Sequence, residues 1–219
     1  IKKIGKNKIK LLIENSKKPV IATCRPARFG GLFKGNEKDR LDLLKAAIGN
    51  NADFIDVEFQ SEIAGQIIGN KLNSRIIISH HDFKETPSLE NLNLLYNKIK
   101  KSNPDLIKIV ATANSINDNF KIFEFLKGKE KVVAFCMGQK GEISRILAPK
   151  FGSRLTYASI EDGKESAPGQ LAIEEMQSIY HANLINKNTN IIGIIGEFAE
   201  NSMSKYMHNP NFVKNNANF

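Results

Sequence analysis

The seven residues Leu106-Ile107-Lys108-Ile109-Val110-Ala111-Thr112 form an apolar run that a single lysine interrupts. A short run of this kind, rich in β-branched residues, is typical of a strand buried on both faces, as in a parallel sheet. Comparable runs recur on either side of it. Strands are predicted over residues 19–25, 53–59, 75–81, 106–112, 131–137 and 154–160.

Amphipathic stretches lie between these runs and indicate helices. Residues 37–51 place leucine and isoleucine on one face with charged residues opposite. Ser88 is a good N-cap for a helix that ends before Pro104. Further helices are predicted over 117–127 and 169–186. Strands alternating with helices predict βαβ units around a parallel sheet, either a (β/α)8 barrel or an open doubly wound sheet.

The positions of the polar residues favour the barrel. Arg25, His81, Met137 and Arg145 fall at or just beyond the carboxyl ends of predicted strands, and Lys108 lies inside one. In a barrel these ends converge on one mouth. Because six strands do not close an eight-stranded barrel, we expect the first two strands to be missing from the front of this chain.

The pattern changes near residue 187. A polar linker over residues 186–190 is followed by the run Ile191-Ile192-Gly193-Ile194-Ile195, which predicts a new strand. We therefore expect a domain boundary here, with one domain over residues 1–186 and the start of a second over residues 187–219.

Composition narrows the class of protein. Apolar residues make up 41% of the chain and charged residues 25%, as in ordinary globular domains, and no run of eighteen apolar residues predicts a membrane span. The net charge of +9 suggests nucleic acid, but the lysines are spread along the chain without interleaved aromatics. We expect neither nucleic acid nor a membrane as partner, because a basic mouth for a small anionic substrate fits the charge equally well. Cys24 and Cys136 lack pairing or metal spacing, which indicates reduced thiols in a cytoplasmic protein.

Lys108 is the residue most suggestive of chemistry. Burial disfavours the ammonium form of a lysine, and attack on a ketone requires a neutral amine. The alternative is a strand-edge lysine whose amine reaches solvent. His81, in His80-His81-Asp82 at the end of the preceding strand, is a natural general acid/base near neutral pH. Paired histidines are nevertheless more often ordinary loop polarity.

Two further segments suit ligand binding. Arg145 lies just beyond a strand, where an arginine can hold a carboxylate through two hydrogen bonds, although a surface helix arginine is commoner. Ser166-Ala167-Pro168-Gly169-Gln170 is a small segment suited to a lid, or an ordinary Pro-Gly helix entry. No further ligands at metal-binding spacing accompany the histidines, so no metal site is predicted.

In order along the chain, these motifs resemble the type I 3-dehydroquinate dehydratase family. The resemblance extends from about Pro19 to Gln170. It rests on Thr23-Cys24-Arg25 with Gly30-Gly31, Ile55-Asp56-Val57-Glu58, Ser79-His80-His81-Asp82-Phe83 with Thr86-Pro87, Lys108-Ile109, Gly141-Glu142-Ile143-Ser144-Arg145, Phe151-Gly152-Ser153 and Ser166-Ala167-Pro168-Gly169-Gln170.

The resemblance implies a (β/α)8 TIM barrel of the class I aldolase type. It implies a lyase that converts 3-dehydroquinate to 3-dehydroshikimate through a lysine Schiff base, in the shikimate pathway to chorismate and the aromatic amino acids. This step would need no metal or organic cofactor. The implied roles are imine formation for Lys108, proton transfer for His81, carboxylate binding for Arg145, ring-hydroxyl contact for Arg25, a closing loop for Ser166 and Gln170, and pocket lining for Met137.

The chain departs from the family pattern in two places. Many members have an acidic residue immediately before the Gly-Gly pair, where it orients the catalytic histidine, and this chain has Phe29 there. The family's early Glu-x-Arg motif, which helps bind substrate, has no counterpart here. The partner of His81 is therefore left open by the sequence.

The end of the chain resembles the opening of the shikimate dehydrogenase family. In that family two serines bind shikimate, which implies this role for Ser202 and Ser204, although the usual His and Pro of the motif are Asn201 and Lys205 here. A complete dehydrogenase would use NADP at a site outside this chain. The motifs are Ile192-Gly193-Ile194-Ile195-Gly196, Asn201-Ser202-Met203-Ser204 and Tyr206-Met207-His208-Asn209.

Two rival functions also fit the sequence. One is another Schiff-base lyase on the same barrel, such as a class I aldolase, against which the Ser-Ala-Pro-Gly-Gln and Ile-Ser-Arg motifs argue. The other is a non-enzymatic basic binding module. The sequence leaves the assembly state open, a homodimer included.

Overall fold

The computed structural model describes residues 5–194 and 196–219, and these divide into two compact units. The first unit takes in the described residues up to Phe83 together with Glu90–Val110. The second takes in Lys84–Leu89 and the described residues from Ala111 onward.

The first unit is built from strands that alternate with helices. Parallel pairing joins β1 to β2, β2 to β3 and β3 to β4, with Ile21 opposite Phe54, Ile55 opposite Ile76, and Ser79 opposite Lys108. The elements are α1 (Lys6–Glu14), β1 (Ile21–Thr23), α2 (Glu37–Gly49), β2 (Phe54–Glu58), α3 (Ala64–Gly69), β3 (Arg75–His81), α4 (Leu89–Lys100) and β4 (Leu106–Thr112).

Helix α2 shows how local sequence fixes an element. Asn36 caps its N-terminus, since the side chain accepts a 2.8 Å hydrogen bond from the Asp39 backbone N–H. Two acidic residues in the first turn complement the helix dipole. The inward face buries Leu44 and Ile48 and also the charged Arg40, which leads from the core to the functional site.

The second unit contains the last two residues of β4 and the remaining elements. These are α5 (Asp118–Leu126), β5 (Val132–Met137), α6 (Glu142–Leu147), α7 (Ile173–Ser178) and α8 (Ser204–Lys214). Directly after β4, the Ala113 N–H donates to the Met137 carbonyl at the end of β5. Across the described strands the hydrogen-bonded order is β1-β2-β3-β4-β5.

Apolar strands supply most of the core. Every residue of β5 is buried, as are Ile55 and Val57 of β2 and the three isoleucines of β3. Burial of one such side chain stabilises the fold by about 1.5–3 kcal/mol. None of the helices in the described residues is long and apolar enough to cross a membrane.

The structure corrects three of the predicted elements. Residues 154–160 form no strand apart from an isolated bridge from Ser159 to Ala172, since Ser153 and Thr156 bond to nearby backbone carbonyls instead. The predicted helix over 169–186 is only Ile173–Ser178. Residues 191–194 form no strand, and Ile195 lies outside the described residues.

Candidate active site

Lys108 lies on β4 with only 6% of its surface exposed. Its Nζ is 3.1 Å from Oδ2 of Asp56, on β2. The strand between them, β3, places Ser79 opposite Lys108 and Glu58, and Asp56 pairs with Ile77, two residues earlier on β3. A lysine this deeply buried does not fit the alternative of an amine that reaches solvent.

Arg25 follows β1 and connects the polar residues of the first unit. Its Nη2 lies 3.1 Å from Asp56 Oδ1, and its Nε lies 3.1 Å from Glu58 Oε1. Its Nη1 lies 2.8 Å from Nε2 of His81. The guanidinium thus contacts β2 and β3 at once.

The Gly30-Gly31 pair allows the turn that positions Arg25. Gly30 has a φ of +77°, which is strained for other residues, and a Cβ there would lie 2.1 Å from the Phe83 ring. A Cβ on Gly31 would lie 2.0 Å from the Arg25 carbonyl oxygen. Glycine is therefore required at both positions by close approach of the chain.

Arg40 of α2 binds the second carboxylate oxygen of Glu58. It is fully buried, and its guanidinium donates to Glu58 Oε2, to Ser61 Oγ at 2.7 Å and to Glu37 Oε2 at 2.9 Å. Three cations, Lys108, Arg25 and Arg40, thereby face three carboxylates. The carboxylates are Asp56, Glu58 and Glu37. Each of the three carboxylates is therefore paired with at least one of these cations.

His81 ends β3 beside this network. Burial, followed by the charges of Arg25 and Lys108, lowers its pKa to about 2, against the opposing effect of Asp56. The imidazole is therefore neutral near pH 7. Because Arg25 can only donate, Nε2 accepts its hydrogen bond and Nδ1 carries the proton.

The opposite side of the His81 ring has a gap where a hydrogen bond is expected. Nδ1 is buried, and among the described residues it has no hydrogen-bond partner. The Phe83 ring is stacked on the imidazole at 5.9 Å. Phe29 lines a small pocket together with Glu58 and His81, so the place of the family's acidic residue is occupied by a ring that cannot accept the proton.

Asp56 stays ionised despite complete burial. Desolvation raises the pKa of its carboxyl, but the Lys108 and Arg25 charges and a hydrogen bond from Ser79 outweigh it and lower the pKa to about 2. The Ser79 hydroxyl donates to Oδ1 at 2.6 Å. Asp56 is therefore a fixed negative charge at 3.1 Å from the amine.

A second group of predicted residues lies in the second unit. Arg145 of α6 is 1% exposed, stacks over Phe135 at 4.6 Å, and donates to the Pro168 carbonyl at 3.2 Å. Among the described side chains, no carboxylate lies within 4.0 Å of its guanidinium, and its Nε has no partner. Burial lowers its pKa to about 10, so the cation persists at neutral pH. A buried cation without an acidic partner is costly unless an anion binds it.

The segment from Ser166 to Gln170 is next to Arg145 and the end of β5. Gln170 Oε1 accepts hydrogen bonds from the Ser166 N–H at 2.8 Å and its hydroxyl at 3.1 Å. The Gly138 N–H, just after Met137, donates to the Pro168 carbonyl at 3.1 Å. A Cβ on Gly169 would lie 2.3 Å from the Gly138 carbonyl oxygen, so this approach also requires glycine. Met137 itself is buried.

The structure thus brings the predicted residues together in two groups. Lys108, His81 and Arg25 form one group in the first unit, and Met137, Arg145, Ser166 and Gln170 lie in the second. Near the end of the chain, the hydroxyls of Ser202 and Ser204 bond to each other at 2.9 Å. Within the described residues, no set of three or more His, Cys, Asp or Glu side chains is arranged to hold a metal ion.

Three polar residues of the site were given no role from the sequence. Asp56 and Glu58 belong to a quoted motif, and their alternate spacing places both on one face of a strand whose other residues are apolar. That alternation is the feature of the sequence that indicates a role for the two carboxylates. Arg40 gave none, because a basic residue in an amphipathic helix is ordinarily solvated.

Comparisons with known proteins place the chain in a family. Residues 3–187 match the family model described as Type I 3-dehydroquinase. The chain is 37% identical over 208 residues to the bifunctional 3-dehydroquinate dehydratase/shikimate dehydrogenase, chloroplastic, of Arabidopsis thaliana, covering 93% of this chain and 34% of that protein. It is 39% identical over 168 residues to the 3-dehydroquinate dehydratase of Dehalococcoides mccartyi, covering 75% of this chain and 76% of that protein.

A solved structure is similar in fold. The 3-dehydroquinate dehydratase of Geobacillus kaustophilus aligns with a TM-score of 0.72 and 23% identity, over 80% of this chain and 72% of that one. Together with the family match, this confirms the predicted fold class, a parallel α/β domain of the TIM-barrel type.

Proposed function

Because the chain belongs to the type I 3-dehydroquinase family, we propose that Lys108 is the imine-forming residue of a 3-dehydroquinate dehydratase. The enzyme is a lyase of the shikimate pathway that dehydrates 3-dehydroquinate to 3-dehydroshikimate. This assignment excludes the non-enzymatic module, and the family match favours it over the aldolase. The observation that carries the proposal is the buried Lys108 amine, 3.1 Å from a carboxylate and in the same network as a neutral histidine.

The first chemical step joins Lys108 to the substrate. The ammonium gives up a proton, the amine attacks the C3 ketone, and the carbinolamine loses water to form an iminium. Both protons lost from nitrogen leave in the water formed from the ketone oxygen. The iminium then acidifies the hydrogen on C2.

His81 carries the proton in the second step. As a neutral imidazole it takes the C2 proton, and the C–H electron pair forms an enamine. His81 then gives that proton to the departing C1 hydroxyl, which leaves as water and restores the iminium. Hydrolysis releases the product from Lys108. For Nε2 to act as base, Arg25 has to exchange its bond to His81 for a contact with the substrate, which fits its proposed role at the ring hydroxyls.

Arg145 supplies charge for the substrate carboxylate. It is a buried cation that lacks a carboxylate partner among the described side chains, which is the arrangement expected of an anion site. Ser166 and Gln170, with Met137 nearby, would complete the binding surface in that unit. No metal or organic cofactor has a part in these steps.

The last thirty residues support a second, finer proposal. We propose that residues 187–219 begin a shikimate dehydrogenase domain, with residues 1–186 as the dehydratase, Ser202 and Ser204 as shikimate ligands, and NADP as the cofactor of the complete domain. The alignment to the plant bifunctional protein covers more of this chain than the family model does, which supports it. Reduction of 3-dehydroshikimate by NADPH in the full-length protein tests it, and no reduction would reject it.

A cytoplasmic location is also proposed. The two cysteines, Cys24 and Cys136, are unpaired, as is usual for proteins of reducing compartments. Fractionation of cells that express the full-length protein would test this location.

The dehydratase proposal is tested by following product absorbance with the full-length protein. Lys108→Ala is expected to abolish turnover, and the matched variant Lys98→Ala, at an exposed position of α4, is expected to keep it. Parental turnover in Lys108→Ala would reject the assignment.

A further inference from the structure

Asp56 is the acceptor shared by the reacting amine and its neighbours. Oδ2 contacts Lys108 Nζ at 3.1 Å, and Oδ1 contacts Arg25 Nη2 at 3.1 Å and Ser79 Oγ at 2.6 Å. Only 2% of the Asp56 side chain is exposed, so water screens its charge little. Each oxygen therefore serves a different part of the site.

The charge next to Oδ2 is the same before and after imine formation. Protonated Lys108 and the ketone carry one positive charge in total, and the iminium and released water also carry one. The positive charge stays on the same nitrogen, within reach of the same oxygen. A fixed anion at this point stabilises both states, and little reorganisation is needed between them.

We propose that Asp56 is a catalytic residue that acts as the counter-ion of the Lys108 iminium. This rests on the proposed function, because it takes Lys108 as the imine-forming residue. Asp56 offsets the positive charge on nitrogen when the iminium forms, and again when the enamine expels the C1 hydroxyl as water and the iminium returns. It takes no proton itself, since its neighbours keep it ionised.

Replacement of Asp56 isolates this effect better than replacement of its neighbours would. Arg25 keeps its bonds to Glu58 and His81 when Asp56 is changed, and Glu58 keeps Arg40. Asp56 from β2 contacts the Lys108 amine, Ser79 from β3 and Arg25 after β1 contact Asp56, and the Lys108 charge acts on His81 from β3. In the Asp56 variants, the carboxylate that contacts both the Lys108 amine and the Arg25 guanidinium is absent.

The test compares Asp56→Asn with the parent in the full-length protein. Turnover should fall about 10²–10³-fold, as for loss of one preorganised electrostatic group. The borohydride-trapped adduct on Lys108 should fall with it. In addition, the acidic limb of the pH profile for trapping should move to lower pH, since an amine without its anion loses a proton more readily. A merely structural role would reduce the amplitude and leave the limb in place.

Two further variants complete the design. Asp105→Asn is the matched control, because Asp105 also pairs with a lysine, Lys71, at 2.8 Å, at a partly exposed position away from Lys108. It should leave turnover, trapping and the limb unchanged. Asp56→Ala serves where Asp56→Asn does not fold, and added formate should restore part of its turnover by supplying a carboxylate.

The outcomes are distinguishable. No adduct on Lys108 in the parent would reject the proposed function, and the inference with it. An adduct in the parent with equal trapping and an unmoved limb in Asp56→Asn would overturn the inference alone. So would a drop in turnover with an unmoved limb, or a folded Asp56→Ala that formate does not rescue.

Discussion

Arg25 Nη1 and His81 Nε2 lie 2.8 Å apart, so the guanidinium sets the tautomer of the imidazole. The sequence resemblance implies that, in many type I family members, an acidic residue immediately before the Gly-Gly pair orients the catalytic histidine. Phe29 occupies that position here, and among the described residues Nδ1 has no partner. The histidine is thus oriented by a cation instead of an anion, which also favours its neutral form.

His81→Ala is expected to lower turnover by about 10²–10⁴-fold, the span usual for loss of a general acid/base. His80→Ala is the matched control, because it removes the neighbouring imidazole and leaves the bond between Arg25 and His81 in place. Steady-state kinetics of the two variants decide the matter. Equal losses, or a larger loss in His80→Ala, would contradict the assignment of proton transfer to His81.

Stability is expected to fall as the pH is lowered. The pKa of His81 is about 2 in the folded protein and near 6.5 in the unfolded chain. Between these pH values the unfolded chain binds a proton that the folded protein does not, so acidification favours unfolding. The contribution of His81 is fully present above pH 6.5 and is lost on acidification. From pH 7 to 5 this amounts to about 2 kcal/mol. Asp56 adds a loss in the same direction only below its ordinary value near 3.8.

Urea unfolding at pH 7 and pH 5 measures this effect. His81→Gln should lose about 2 kcal/mol less than the parent across that interval, since the titrating group is absent. The same loss in both proteins would contradict the buried, neutral histidine.

Arg145→Met is expected to separate binding from stability. The variant removes a buried cation that has no carboxylate partner among the described side chains, so its melting temperature should equal or exceed that of the parent. Its KM for 3-dehydroquinate should rise at least about 10-fold, the loss of one strong charge-assisted contact. Arg154→Met, at an exposed position, is the control and should change neither. A large drop in melting temperature with an unchanged KM would make Arg145 a structural residue.

Arg40→Met tests the buried ion pair between Arg40 and Glu58. Removing one partner of a buried ion pair leaves Glu58 without its second cation, at a cost of about 3–5 kcal/mol in unfolding free energy. Arg28→Met breaks an exposed pair with the same Glu37 and should cost at most about 1 kcal/mol. Urea unfolding compares the two, and equal costs would mean that Arg40 is not part of a buried network.

The strands and the lysine were predictable because each depends on local sequence. Lys108 is conspicuous as a charge within an apolar run, and β3 and β4 have the predicted bounds. The contacts of Arg25 were not predictable, because they depend on the register that pairs Asp56 with Ile77 and Glu58 with Ser79. Register and long side-chain reach are properties of the assembled sheet.

Two of the wrong elements contain features that oppose the predicted structure. Residues 154–160 alternate as a strand would, but Thr156 bonds to the Arg145 carbonyl and Ser153 to the Leu155 carbonyl. Short polar side chains that bond to nearby backbone compete with a ladder. The helix predicted over 169–186 is limited to Ile173–Ser178, and it cannot continue through His181, which has a positive φ of 46°. Local periodicity does not register either competitor.

The central claim is that Lys108 forms the imine, and covalent trapping tests it most directly. Sodium borohydride is added with 3-dehydroquinate to the full-length protein, and the modified residue is located by peptide mass spectrometry. We expect one substrate-derived adduct, on Lys108, that is lost in Lys108→Ala and retained in Lys98→Ala. An adduct on another lysine, or substrate turnover without any adduct, would contradict it.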